Sequence, residues 1–308
     1  MLLVGDIGGT KTHLALYEGT RLIKDEIFQS RHFKTLDEIL RQFLDRPIEK
    51  CCLAIAGPIQ NQTAKLTNLP WEIDRKKLET TLATSRIHLL NDLEATAWGI
   101  KNLKKEDLVS LNPGIKQSGN QAVVAAGTGL GIAGLWWDGK SHHPFATEGG
   151  HADFGPRTPE QFELWNYLHK KYGHVSIERV VSGQGLEHLY WFLAEKKRWK
   201  SPYSGEDLPK HILENASTSE LCGEVLTEFC SMYGAIAGNT AVQFLATGGI
   251  YLAGGIAPKM LSHLQKGEFM RAFGDKGRMK ELVLQIPVYV VLNEKLPLMG
   301  ALVYANLI

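Results

Sequence analysis

One pattern is written twice in this chain. Residues 4–19 read "VGDIGGTKTHLALYEG" and residues 124–139 read "VAAGTGLGIAGLWWDG". Each runs from an apolar strand into a turn of glycine and threonine, back through a second strand, and out at an acid followed by glycine. Glycine adopts backbone conformations that other residues avoid, so such turns end strands abruptly. A weak internal repeat of this kind predicts two lobes of similar design. The length agrees, because 308 residues are too many for one comfortable core and suit two.

The segments around the first copy read as an α/β lobe. "LLVGDIG", "THLALYEG" and "RLIKDEIFQ" are successive strands, and "TLDEILRQFL" has helical spacing. "IEKCCLAIAGP" is a buried strand, "DRKKLETTLAT" a helix, "RIHLLND" a strand and "LEATAWGIKNL" a helix. The order β-β-β-α-β-α-β-α is that of an α/β lobe. "KNLKKEDLVSLNPG", charged and then rich in turn residues, marks the boundary. Near the other end, "ATGGIYLAGGIAP" is a strand broken at Gly254 and Gly255. The strand "IPVYVVL" and the apolar helix "PLMGALVYANLI" follow.

Composition removes several classes of function. A formal net charge of +1 leaves no electrostatic footprint for nucleic acid. Cys51 and Cys52 are adjacent in an apolar run. Cys222 and Cys230 would lie roughly 12 Å apart on one helix, too far to bridge. Neither pair has zinc spacing, so the four thiols are expected reduced and buried in a cytoplasmic protein. "MLLVGDIGG" has no basic segment and no cleavage site of a secretory signal. No charge occurs between Glu228 and Lys259, but Asn239, Thr240, Gln243 and several glycines interrupt the run. It reads as a helix followed by a buried strand, with no membrane partner.

Three glycine turns follow strands: Gly8-Gly9-Thr10, Gly127-Thr128-Gly129 and Gly254-Gly255. Tight turns let backbone N–H groups converge on an anion, and threonine adds a hydroxyl donor. Two such turns suit a polyphosphate, and a third brings its backbone close to a flat base. Each is equally well an ordinary strand-ending turn. Asp6, beside the first, is placed to hold Mg2+ through water, or to satisfy the turn's own N–H groups. Asn91 and Asp92 stand where a strand meets a helix. Either they cap the helix, or they set a carboxylate at the sheet edge where ligands bind. "TEGGHADFGPR" puts Glu148 and His151 around a tight turn, within reach of a polyhydroxyl ligand or simply in an exposed loop. Glu178 is ambiguous in the same way. Thr158-Pro159-Glu160-Gln161 is a capping box opening a helix.

With these residues in view, the whole chain resembles the bacterial ATP-dependent glucokinases of the hexokinase/actin-like ATPase superfamily. "DIGGTKT", "AIAGP", "TNLPW", "LLNDLEATAWGI", "AAGTGLGIAGL", "EGGHADFGP", "ERVVSGQGL", "LAGGIAPK" and "AFGDKGRMKE…IPVYVV" carry the likeness in family order. It implies a two-lobed actin-like ATPase (ribonuclease H-like) α/β fold with a cleft between the lobes. The small α/β lobe would span 1–105 and be joined by the C-terminal helix 294–308. The larger α+β lobe would span 106–293. By the same resemblance, Asp92 is the general base for the sugar 6-hydroxyl, and Asn91, Glu148, His151 and Glu178 hold the other hydroxyls. Gly8, Gly9, Thr10, Gly127, Thr128 and Gly129 bind ATP phosphates, Asp6 lies near Mg2+, and Gly254 and Gly255 line the adenosine pocket. Lys11 stands where relatives often carry asparagine, within reach of phosphate. The histidine loop continues "ADFGPRTPE" without cysteine, unlike the zinc motif of ROK sugar kinases, so no zinc is expected. The implied enzyme phosphorylates glucose in glycolysis and, by analogy, is a homodimer. A kinase for mannose or an N-acetylated sugar, a non-enzymatic sugar sensor and an actin-like filament protein are the alternatives.

Overall fold

The first repeat folds as an antiparallel hairpin. Strands β1 (Leu2–Ile7) and β2 (Lys11–Glu18) pair with Asp6 opposite His13 and Ile7 opposite Thr12. The Gly8 amide closes the turn on the Lys11 carbonyl at 3.0 Å. Strand β3 (Arg21–Gln29) adds antiparallel to β2. On the other side of β1 lie β4 (Lys50–Ile55) and, beyond three short strands, β8 (Ile87–Asn91), both parallel. The five-stranded order is β3-β2-β1-β4-β8. The computed structural model describes residues 1–66, 69–200, 203, 205 and 207–308. Thr67 and Asn68 of the "TNLPW" segment lie outside the described residues.

Side chains alternate across this sheet, so adjacent residues feed different cores. Cys51, Leu53 and Ile55 face helices α1 (Leu36–Phe43) and α2 (Arg75–Leu82). Cys52 and Ala54 face α3 (Asp92–Gly99) and the C-terminal helix Leu296–Leu307. Helix α1 forms because Leu36, Ile39, Leu40 and Phe43 fall on one stripe. Three strands absent from the sequence reading, β5 (Ile59–Gln60), β6 (Thr63–Lys65) and β7 (Glu72–Asp74), make a separate antiparallel sheet. Two or three residues are too few to set up a period.

The second repeat is the hairpin of β10 (Gln121–Ala126) and β11 (Leu130–Trp137), which opens after strand β9 (Leu108–Asn112). With β12 (His142–Ala146), β13 (Gly249–Ala253) and β14 (Val288–Val291), the sheet order is β12-β11-β10-β13-β14-β9. Strands β10, β13 and β14 are parallel, as β1, β4 and β8 are. The two hairpins therefore begin sheets of one topology, β2-β1-β4-β8 and β11-β10-β13-β14. Strand β9 lies within the boundary segment that read as charge and turns; it pairs antiparallel with the edge strand β14.

Helices α4 (Pro159–Tyr172), α5 (Gly183–Lys196), α6 (Leu208–Asn215) and α7 (Glu220–Gln243) complete the larger core. Thr158 caps α4 by accepting from the Gln161 amide at 3.2 Å. The uncharged run resolves into the end of α7 and β13. Among the described residues no helix is long and apolar enough to cross a membrane. All four cysteines are free and buried. Burial pushes the thiols of Cys52 and Cys230 up to about 12, which keeps them unreactive. The chain divides into two units: Met1–Lys104, Pro144–Ala146 and Asn293–Ile308 form one, and Lys105–His143 with Thr147–Leu292 the other.

Candidate active site

In the first unit, register gathers the polar residues at one sheet edge. Ile7 lies opposite Ile55, and Ile55 opposite Asn91. The ends of β1, β4 and β8 are therefore level, with Asp6 and the Gly8-Gly9-Thr10 turn at one and Asn91-Asp92 at another. Ligands of α/β sheets bind at such C-terminal edges. Among the described residues, no protein acceptor takes the amides of Gly9 or Thr10. Thr10 and Lys11 are exposed. The turn is pinned by Ser30, whose hydroxyl donates to the Gly8 carbonyl at 2.7 Å and whose amide donates to the Thr10 carbonyl at 3.0 Å. Nothing in the sequence singles out Ser30, since a lone serine after a strand carries no pattern.

Asn91 caps α3. Its Oδ1 accepts from the Leu93 amide at 2.9 Å and the Glu94 amide at 3.4 Å, and its Nδ2 donates to the Gly57 carbonyl at 3.3 Å. Asp92 is half-buried in the first turn, and its Oδ1 also accepts from Leu93 at 2.9 Å. The helix N-terminus stabilises the ionised form of a carboxylate so placed. Asp6 keeps part of its surface exposed, yet protein surrounds its carboxyl. Burial, then the charge of Asp92, push it up to about 7.

In the second unit, the Gly127-Thr128-Gly129 turn likewise leaves the amides of Thr128 and Gly129 without a protein acceptor among the described residues. The N-terminus of α5 meets this turn, the Gly183 amide donating to the Gly127 carbonyl at 2.8 Å. Ser182 caps α5 on the Gly185 amide at 3.0 Å and donates to the Glu178 carbonyl at 2.7 Å. The turn thus sits at a helix end that favours anions. "ERVVSGQGL" held this signal, a serine cap followed by glycine, but its link to residue 127 is tertiary. Gly254 has φ +81°, and a Cβ there would strike the Ala126 carbonyl, so only glycine fits where β13 turns over β10. Gly255 faces open space.

Glu148, His151 and Glu178 also come together in this unit. Glu148 Oε2 is 4.0 Å from His151 Nε2, and both side chains are exposed. Gly150 between them packs so closely on the Leu130 carbonyl that no Cβ fits. The Leu130 amide donates to Glu178 Oε2 at 2.9 Å. One residue, Leu130 at the start of β11, thereby meets both loops. The Ile177 amide ties them again, donating to the Ala152 carbonyl at 2.9 Å. His142 and His143 are otherwise engaged, with the Gly119 carbonyl and with Asp138. Among the described residues no three His, Cys, Asp or Glu side chains are grouped as a metal site.

The glucokinase family model matches residues 3–308. The chain belongs to the glucokinase family. A glucokinase of Nostoc punctiforme is 41% identical, covering 98% of this chain and 97% of the relative. One from Saccharophagus degradans is 35% identical over 97% of this chain and 96% of its own length. Among solved structures, a glucokinase from an Antarctic psychrotroph is 31% identical, with a TM-score of 0.86 over 100% of this chain and 99% of that one. A ROK family glucokinase from Streptomyces griseus, solved with glucose and AMPPNP, shares the fold at 19% identity and a TM-score of 0.67, covering 99% of this chain and 98% of that one. The glucokinase-family fold is the actin-like ATPase fold, and the chain is an ATP-dependent hexose kinase of that family.

Proposed function

We propose that the chain transfers the γ-phosphoryl group of ATP to the 6-hydroxyl of D-glucose, giving ADP and glucose 6-phosphate. The observation that carries this reading is the placement of Asp92, a half-buried carboxylate on a helix N-terminus, beside Asp6 and at the strand end next to Asn91. A sugar hydroxyl is a poor nucleophile, and a carboxylate in hydrogen-bond reach takes its proton as the new P–O bond forms. Asp92 does this. Asn91, Glu148, His151 and Glu178 partner the remaining hydroxyls and fix the ring. Glu178 keeps Oε1 for the ligand while Oε2 holds the Leu130 amide.

The two turns supply phosphate donors. In the first unit the amides of Gly9 and Thr10, and in the second those of Thr128 and Gly129, have no protein acceptor among the described residues, while Gly8 and Gly127 close the turns that present them and the two threonines add hydroxyls. Lys11 adds a positive charge. Gly254 and Gly255 accommodate the adenosine, where a side chain would intrude. Phosphoryl transfer depends chiefly on such positioning and on charge neutralisation. Two neighbouring carboxylates, one of them driven to hold a proton, fit a cation: Asp6 would hold Mg2+, which when bound supplies charge neutralisation on the phosphates. Family analogy extends the reading to a cytoplasmic, glycolytic homodimer.

The test is ADP release with ATP and Mg2+ against glucose, mannose and N-acetylglucosamine. Glucose should give the highest kcat/KM. A higher value with either other sugar would replace glucose as the acceptor, and no turnover with any would remove the kinase reading.

A further inference from the structure

The loops that carry His151 and Glu178 continue into the wall of a cavity that the proposed reaction leaves unused. Its volume is about 220 Å3, and it lies wholly within the second unit. Asp153 and Ile177 form part of the wall, and four residues that carry donors, Arg157, Gln161, Asn239 and Lys276, line it too.

Two of these donors are poorly served by the fold. Arg157 gives Nη1 to Asp275 at 3.1 Å and Nη2 to the Ser231 hydroxyl at 3.0 Å, but its buried Nε has no acceptor among the described residues. A buried N–H left in this state costs about 1–3 kcal/mol. Among the described residues, the half-buried Lys276 ammonium reaches only the carbonyls of Asp275 at 3.3 Å and Ala272 at 3.5 Å. Burial and then the nearby Arg157 charge push its pKa down, with Asp275 opposing in part. The acidic groups around the cavity do not cancel this. Asp275 is mostly exposed and already holds Arg157, and Asp153 is exposed and paired with His174 at 3.3 Å. Glu228 lies beside the Gln161 amide, which has no partner at hydrogen-bond geometry, and burial pushes the Glu228 carboxyl up.

A water molecule would satisfy Arg157 Nε but would bring no charge to Lys276. A small oxyanion does both, with oxygens enough for the Gln161 and Asn239 amides as well. We propose that this cavity binds a small oxyanion, for which inorganic phosphate is the probe, between Arg157 and Lys276.

The experiment is thermal unfolding of the full chain against increasing sodium phosphate at fixed ionic strength. Three proteins are compared: wild type, Lys276→Met, and the Thr10→Ala/Thr128→Ala double variant. Methionine keeps the stem that packs on Gly238 and removes the ammonium, with its charge and its two long bonds to the Asp275 and Ala272 carbonyls. Wild type and the double variant should gain a saturable rise in Tm of about 2 °C or more. Lys276→Met should gain none, and without phosphate it should melt no lower than wild type. No rise in wild type, or an equal rise in Lys276→Met, overturns the site. A rise lost in the double variant puts the phosphate at the nucleotide turns instead. A lower Tm for Lys276→Met without phosphate makes Lys276 a structural residue and overturns the proposal too.

Discussion

Asp6 and Asp92 share one electrostatic neighbourhood: burial, and then the charge of Asp92, push the Asp6 carboxyl up to about 7. The two are not equivalent. Asp92 stands in the first turn of α3, at a helix end of the kind that favours anions, while Asp6 stands one residue before the end of β1 between buried neighbours. The two like groups thus differ in surroundings, one at a helix end and one enclosed by protein. The proposal of Asp92, rather than Asp6, as general base rests on that difference.

Asp92→Asn keeps the shape and the contact with the Leu93 amide but loses the base. It should bind glucose within a few-fold of wild type. Its kcat should fall by about 10²–10⁴. Steady-state kinetics with calorimetric glucose titration would check both. A variant with more than about a tenth of wild-type kcat takes the base role away from Asp92.

Glu178 carries two loads that substitutions can separate. It accepts the Leu130 amide and is proposed to hold a sugar hydroxyl. Glu178→Gln keeps an acceptor for Leu130, so stability should hold while glucose affinity drops about tenfold, a neutral bond replacing a charged one. Glu178→Ala leaves the Leu130 amide bare and should also cost about 1–3 kcal/mol in chemical denaturation. Equal stability losses in the two variants would show that the carboxylate charge, and not its acceptor, secures Leu130.

Much of this frame is legible in the sequence. Strands such as Leu2–Ile7 and Lys50–Ile55 are long enough to show their apolar pattern, and glycines mark their ends. The cap reading of Asn91 needs only a strand, an asparagine and a helix, and the cap is there. The sheet β5–β7 escaped because its strands are shorter than any period. Ser30 and Ser182 escaped for another reason. Each acts on a turn or loop through contacts that sequence neighbours do not encode, Ser30 on Gly8 across 22 positions. The Glu178 bond to Leu130 spans 48 positions and joins two motifs that carry no mark of each other in the sequence.

Asp25 offers a pH test of the first unit. Burial alone would raise its carboxyl, but hydrogen bonds from Lys295 (2.6 Å) and His13 outweigh that and hold it below its ordinary value. A carboxyl depressed by folding stabilises the protein above its unfolded pKa, and that contribution is lost as pH falls through the folded pKa. Asp25→Asn should therefore be less stable than wild type at neutral pH, by about 0.2–1 kcal/mol, the range of a solvent-screened ion pair. The gap should close as acid titrates wild type below the usual carboxylate range. Urea melts from neutral to acidic pH would follow it; a gap that stays constant would mean packing, not charge, is what Asp25 contributes.

The crossing of α3 and the C-terminal helix makes the last prediction. Gly300 packs against the Ala95 carbonyl with no space for a Cβ, and a Cβ at Gly99 would come within 2.6 Å of the Leu296 carbonyl. Both contacts are to backbone, which cannot rotate aside as a side chain can. Gly300→Ala must push the helices apart, at a cost typical of overpacking, about 1–3 kcal/mol. Alanine's better helix propensity returns only about 1 kcal/mol of this. Helix α3 begins at Asp92, so the same displacement should move the proposed base and lower kcat. Asn306→Ala, exposed on the same helix, is the control and should leave both Tm and kcat near wild type. A Gly300→Ala protein that melts and turns over like wild type would show that the two helices can separate without cost, and that the C-terminal helix does not hold Asp92 in place.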